Sequence, residues 1–259
     1  MSEKIYPDNL CCFEGMTSIS ALIKALEIRS CARAIKYVFY DKSKASSKYS
    51  QIKFLDIKSK QLEFELVPQS SDYIDSLANG NTHGGFVALC ENRNYPALSS
   101  ENINPNGIYY ILDGIEDPFN FGYTVRALYA AGADGIILPP RNWTDATAVV
   151  CRSSAGCSEL ADIYIQDTTA AVKLLKESGY RVACTNITDS VSLYSSDLKA
   201  PIAFIIGGEK RGISRTMLDL ADFNIRIDYA SDFKGSLPTA SATALIAFEA
   251  AKSNQKFQF

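Results

Sequence analysis

The run Ile108-Tyr-Tyr-Ile-Leu112 is apolar at every position and stops at Asp113. A strand with one wet face would alternate, whereas an unbroken apolar run suits a strand of a parallel sheet covered on both faces. Residues 201–206 (PIAFII) form a second such run. Strands of this kind need helices over them, and the chain supplies candidates. Asp113, Glu116, Asp117 and Pro118 take the chain out of the first strand. Gly122 to Ala131 follows with helix composition, and Val125, Leu128 and Tyr129 share one face. Ile136 to Leu138, Ile163 to Ile165, Arg181 to Thr185 and Asn224 to Ile227 read as further strands. Thr144 to about Arg152 and Thr168 to Ser178 read as helices, the second with Thr168 as N-cap and Gly179 just past its end. The expected fold class is α/β with a parallel sheet, in which sites form at the carboxyl ends of strands.

The chain's 259 residues leave room for a second α/β domain ahead of this one. Ile19, Leu22, Ile23 and Leu26 fall on one face of a helix over Met16 to Arg29. Ile35 to Tyr40 is rich in β-formers. Within Ser43 to Lys60, Tyr49, Ile52 and Leu55 keep helical spacing. Leu62 to Val67 alternates like a strand. Ser70 to Ala78 reads as a short helix ending at Asn79-Gly80, and Phe86 to Cys90 as another strand. This alternation suggests a small three-layer α/β domain over residues 1–95. The segment RNYPALSSENINPN is rich in Asn, Ser and Pro and lacks periodicity, so residues 96–106 are expected to link it to a second domain over 107–259.

Composition narrows the function. No apolar run approaches the ~20 residues that span a bilayer, and the N-terminus has no signal-peptide core. Seven cysteines are scattered and none forms C-x-x-C. They are expected to be reduced thiols in a cytoplasm, with no zinc site. His83, the only histidine, restricts metal sites and serine triads and reads as a residue at a strand start. The net charge of −3 hides an asymmetry. Nine basic residues between Arg29 and Lys60 face only Asp41 and Asp56, a local net charge of +7. Such a patch suits phosphate contact, or is a solvated helix face; the residues leave both open.

Three segments carry candidate chemistry. Asn120, Gly122 and Arg126 form N-x-G-x-x-x-R after the first strand. Asn120 and Arg126 suit a polar pair at a cleft mouth; alternatively Asn120 caps the helix and Arg126 pairs with a surface carboxylate, which the residues alone favour. The run PIAFII leads into Gly207-Gly208-Glu209-Lys210-Arg211-Gly212, whose glycines permit close backbone approach to a ligand. A glycine turn before a helix capped by Ser214 explains those glycines but not Glu209. Neither a Walker lysine nor G-x-G-x-x-G is present. Finally, Ser236-Leu237-Pro238-Thr239-Ala240-Ser241 opens the last helix with a proline, a residue suited to a first helical turn.

These segments resemble, in order and spacing, motifs 1, 2 and 3 of the SpoU/TrmH class of SPOUT RNA methyltransferases, over about Gly107 to Ser253. The resemblance implies a SPOUT domain with a C-terminal trefoil knot, acting as a cytoplasmic homodimer. A small α/β domain similar to ribosomal RNA-binding proteins would precede it. It implies transfer of a methyl group from S-adenosylmethionine to a ribose 2′-hydroxyl of structured RNA, rRNA ahead of tRNA, without a metal. Arg126, Asn120, Glu209 and Ser236 correspond to the catalytic group, and Gly207, Gly208, Ile227 and Leu237 to the cofactor cradle. One departure stands out: the family has asparagine where this chain has Pro238. A catalytically impaired RNA-binding member is therefore the alternative. A rival of another class, an α/β enzyme with a nucleotide cofactor, has the missing phosphate loops against it.

Overall fold

The computed structural model describes residues 10–28, 32–78, 80, 82–140, 146–208 and 212–257. In chain order the elements are β1 (Cys11–Glu14), α1 (Gly15–Ile28), β2 (Ile35–Asp41), α2 (Tyr49–Leu62), β3 (Glu65–Gln69), α3 (Ser71–Leu77) and β4 (Phe86–Cys90). There follow β5 (Ile108–Asp113), α4 (Pro118–Ala130), β6 (Gly135–Leu138), α5 (Thr147–Ser153), α6 (Cys157–Leu160) and β7 (Ile163–Ile165). The last are α7 (Thr168–Glu177), β8 (Arg181–Thr185), β9 (Ser190–Ser192), β10 (Ile202–Gly207), α8 (Arg215–Leu220), β11 (Phe223–Arg226) and α9 (Thr239–Ser253). They form two compact units, Met1–Asn94 with Asn142–Leu160, and Tyr95–Arg141 with Ala161–Phe259.

In the first unit a sheet runs β1-β4-β2-β3, with β2 and β3 parallel and the other pairs antiparallel. All five residues of β4 are buried, and their alternation feeds two cores. Phe86, Ala88 and Cys90 pack with Ile19, Leu22 and Leu55 of α1 and α2, while Val87 and Leu89 pack with Ile74 of α3. Helices thus pack against both faces of this sheet. Cys151 of α5 also enters the larger core, so α5 and α6 group with this unit, not with the remainder of 107–259. Glu159 of α6 lies 2.9 Å from Arg33, both 2 % exposed, and Arg33 also stands over the Phe13 ring. Cys151 is buried too, and burial pushes its thiol up to about 12.

In the second unit seven strands run β7-β6-β5-β10-β8-β11-β9, every neighbouring pair parallel. The two unbroken apolar runs, β5 and β10, are the adjacent central strands. Tyr109, Ile111, Ala203 and Ile205 pack with Ala171, Val172 and Leu175 of α7 on one face. Tyr110 and Phe204 stack with ring centres 5.2 Å apart, and α9 packs on β10 and α4. The segment expected as a linker is built into this unit: Leu98 is buried in its core, and Ile165 N–H donates to the Pro96 carbonyl. Three helix starts in this unit are capped by an acid or a hydroxyl. Asp117 caps α4 by accepting from Asn120 N–H at 2.8 Å. Asp167, not Thr168, caps α7, and Ser214 caps α8. Among the described residues no helix is long and apolar enough to cross a membrane.

Candidate active site

The cleft begins where β10 ends. Gly208 N–H donates to the Asp113 carbonyl at 2.8 Å, tying the loop after β10 to the loop after β5. The two backbones touch so closely that a Cβ on Gly208 would stand 2.0 Å from the Gly114 oxygen. Gly114 itself has φ +96. The glycine at 208 is thus required by backbone-on-backbone packing, whatever ligand binds beside it.

Around Gly207 and Gly208 opens a cleft of about 970 Å³, within the range of small-molecule sites. Thr185 ends β8 and Asn186 follows it, and Ile227, Asp228 and Tyr229 follow β11, so the walls stand at the carboxyl ends of three neighbouring strands, where open parallel sheets bind ligands. Ser231, Phe233, Ser236 and Leu237 of the connection to α9 close another side. Leu237 N–H lies 3.3 Å from the Tyr229 hydroxyl, which accepts. Apolar lining comes from Ile206, Ile213, Ile225 and Ile246. The Ser192 hydroxyl, opposed by slight burial and aided by Arg226, holds the Asp228 carboxyl below its ordinary range.

Five expected site residues therefore meet here: Gly207, Gly208, Ile227, Ser236 and Leu237. Asn120 and Arg126 do not line the cleft. They lie on α4, whose first turn already contains Asn120, so the helix starts four residues earlier than Gly122. Asn120 is not the cap, because Asp117 is. Arg126 is exposed and has no ion pair among the described residues, so the alternative of a surface carboxylate partner does not hold there. Glu209 lies outside the described residues. Pro238 stands at the N-cap of α9 with its carbonyl accepting from Ala242 N–H at 3.0 Å. Proline thus keeps the helix start intact. Thr239, which is not among the expected site residues, lines the cleft and is itself buried.

The basic segment of the first unit divides on inspection. Arg33 is buried against Glu159. Lys36, Lys44, Lys58 and Lys60 pair with Glu91, Asp41, Glu27 and Asp56. Lys42, Lys48 and Lys53 have no ion-pair partner among the described residues, and Arg29 lies outside them. His83 is buried, its Nδ1 accepting from Gly85 N–H at 3.2 Å and its Nε2 3.1 Å from Asp75. Both ring nitrogens thus hold local structure. No group of three or more potential metal ligands occurs among the described residues.

Fold and cleft together define a parallel-sheet α/β protein with a cofactor-sized site at its strand ends. The profile of the SpoU rRNA Methylase family matches residues 107–248, and the chain belongs to that family. A Staphylococcus haemolyticus protein assigned to the TrmH family of tRNA/rRNA methyltransferases is 31 % identical over 198 residues, 74 % of this chain and 78 % of that one. An rRNA methyltransferase from Sinorhizobium meliloti, solved with AdoMet bound, superposes with a TM-score of 0.77 at 24 % identity, covering 94 % of this chain and 87 % of that one. An RNA 2′-O ribose methyltransferase superposes with a TM-score of 0.73 at 18 % identity, covering 95 % and 89 %.

Proposed function

We propose that the protein methylates a ribose 2′-hydroxyl of a structured RNA, rRNA ahead of tRNA, using S-adenosylmethionine bound in the cleft at the ends of β8, β10 and β11. One observation carries the proposal. Gly207 and Gly208 of the second family motif, Ser236 and Leu237 of the third, and Ile227 between them line one cleft in a chain of this family. The lining fits the cofactor: isoleucine walls suit a purine, and the Asp228 carboxylate suits a cationic sulfonium ligand. Gly207, Ile227 and Leu237 would hold it through backbone groups. When bound, it supplies an activated methyl group. The remaining task is to set the ribose oxygen in line and to remove its proton. Arginine keeps its proton to a pKa above ~12. Arg126 therefore takes the hydroxyl proton only with help from a nearby phosphate, or holds that phosphate while water takes the proton; it is indispensable either way.

The finer architecture belongs to the same reading: a C-terminal trefoil knot, an RNA-binding first domain, and a cytoplasmic homodimer. Exposed Phe119 and Tyr123 on α4, with Leu245 and Phe248 on α9, support the homodimer, since packed neighbouring helices seldom leave four large apolar side chains in water. Arg126 follows Tyr123 by three residues on α4, so a partner docked there would lie beside the proposed catalytic group.

The test is methyl transfer from labelled S-adenosylmethionine to RNA from cells lacking the gene, followed by mapping of 2′-O-methyl sites. Wild type should label a discrete site. Arg126→Ala should abolish labelling while cofactor affinity stays within a few-fold. Near-normal turnover by that variant would remove Arg126 from the mechanism, and binding without transfer by wild type would select the impaired alternative.

A further inference from the structure

We infer that the outward face of α2 is a stacking platform for unpaired bases of the RNA substrate, an inference that rests on the RNA-methyltransferase reading above. Leu55 is the one buried residue of α2, and Ile52 and Leu62 join it against the core. That accounts for one side of the helix. The opposite side is not what a solvated face should be. Tyr49 is 67 % exposed, Ile57 47 % and Phe54 38 %. Tyr49, Lys53 and Ile57 are spaced four apart and form one stripe, with Phe54 at its flank. The face thus combines two large rings and a branched aliphatic with a lysine that has no ion-pair partner among the described residues.

The charge decides the occupant. Lys53 lies inside the stripe. Lys60, at the same face, pairs with Asp56 at an exposed site, a pairing worth little that a phosphate can replace. Lys42 stands in the turn shortly before α2, also without an ion-pair partner among the described residues. Cations interleaved with exposed rings are how proteins hold single strands, the lysines tracking phosphates and the rings stacking on bases. A duplex has no use for the rings, because its bases are already stacked and its A-form surface offers phosphates and 2′-hydroxyls. A second copy of this chain fits less well, since a two-fold contact through this face would bury the lysines of both copies in one interface. The substrate class named by this face is RNA with an unpaired loop or bulge beside the methylated ribose.

The experiment uses the full-length protein and three fluorescent probes: a short oligouridine, a hairpin with an unpaired loop, and a blunt RNA duplex. Anisotropy should rank oligouridine and hairpin above duplex. Tyr49→Ala should weaken the first two about tenfold and leave the duplex unchanged, while Tyr49→Phe should bind like wild type. Lys53→Gln should flatten the log–log salt slope by about 0.7 with the loop preference intact. Ultraviolet crosslinking of an iodouridine probe should mark the peptide carrying Tyr49 and Phe54. Equal binding of duplex and single strand, with Tyr49→Ala and Phe54→Ala both silent, would overturn the platform. A change in sedimentation of Tyr49→Ala would overturn it in favour of a self-interface. Cofactor titration and methyl transfer on the same preparations separate the two ideas. Transfer that persists with a silent Tyr49→Ala sinks the platform alone, whereas absent cofactor binding sinks the underlying reading.

Discussion

Replacing Gly208 by alanine tests how the cleft is built. The added Cβ would lie 2.0 Å from the Gly114 oxygen and 2.5 Å from its carbonyl carbon, against an ordinary separation of about 3.5 Å. Both neighbours are backbone, so no rotamer relieves the clash. The loops after β5 and β10 must part by more than an ångström, and the 2.8 Å bond from Gly208 N–H to Asp113 breaks. Overpacking of this kind costs roughly 1–3 kcal/mol, and the lost bond about 1 more. A total of about 2–4 kcal/mol should lower Tm by roughly 5–15 °C at this chain length. Gly212 supplies the internal control. It has φ +62, but a Cβ there meets no atom within 4 Å, so alanine should cost only about 1–2 kcal/mol of left-handed strain. Calorimetry with S-adenosylmethionine should show at least tenfold weaker binding for Gly208→Ala. Equal melting and equal cofactor affinity for the two variants would refute the account of Gly208.

Three further outcomes are expected. Arg33→Met leaves the Glu159 carboxylate buried without its partner and should cost about 3–5 kcal/mol in urea unfolding, most of it recovered when Glu159→Leu is added. The Ser43 hydroxyl, working against burial, and then Ser71 hold Asp41 at about 2, below its ordinary 3.8. Its contribution to stability is thus present above pH ~4 and lost as pH falls through about 2; Asp41→Asn should flatten the unfolding midpoint over that window. Pro238→Asn keeps a residue suited to the N-cap of α9, so melting should hold and methyl transfer should change only a few-fold. An inert parent revived by asparagine would show that the proline had disabled the site.

Periodicity made the helices and central strands readable, because β5, β10 and α1 declare their burial locally. Its errors are short-range. β1 is only four residues, CCFE, too brief for any period, and Leu62 ended a helix instead of starting a strand. Asp117 competed successfully for a cap that Asn120 could have filled. The site was legible only through resemblance: Gly207, Ile227 and Leu237 look like turn and strand residues on their own. What could not be read was pairing at a distance. Arg33 and Glu159 stand 126 residues apart, and nothing local marks Arg33 as a core residue instead of a phosphate contact. Likewise Gly114 and Gly208 explain each other only once β5 and β10 are neighbours.

The grouping of α5 and α6 with the first unit bears on how the chain comes off the ribosome. Residues through Asn94 emerge first, yet their unit includes Asn142–Leu160. Cys151 is missing from its core, and Arg33 waits with a buried site and no counter-charge, until roughly 65 more residues are made. At ordinary translation speeds that is about 3–13 s. During that interval β5 and α4 of the other unit are already outside and searching for partners. An N-terminal fragment cut at residue 95 would stay in this waiting state permanently, so tests of RNA contact by the first unit belong in the intact chain.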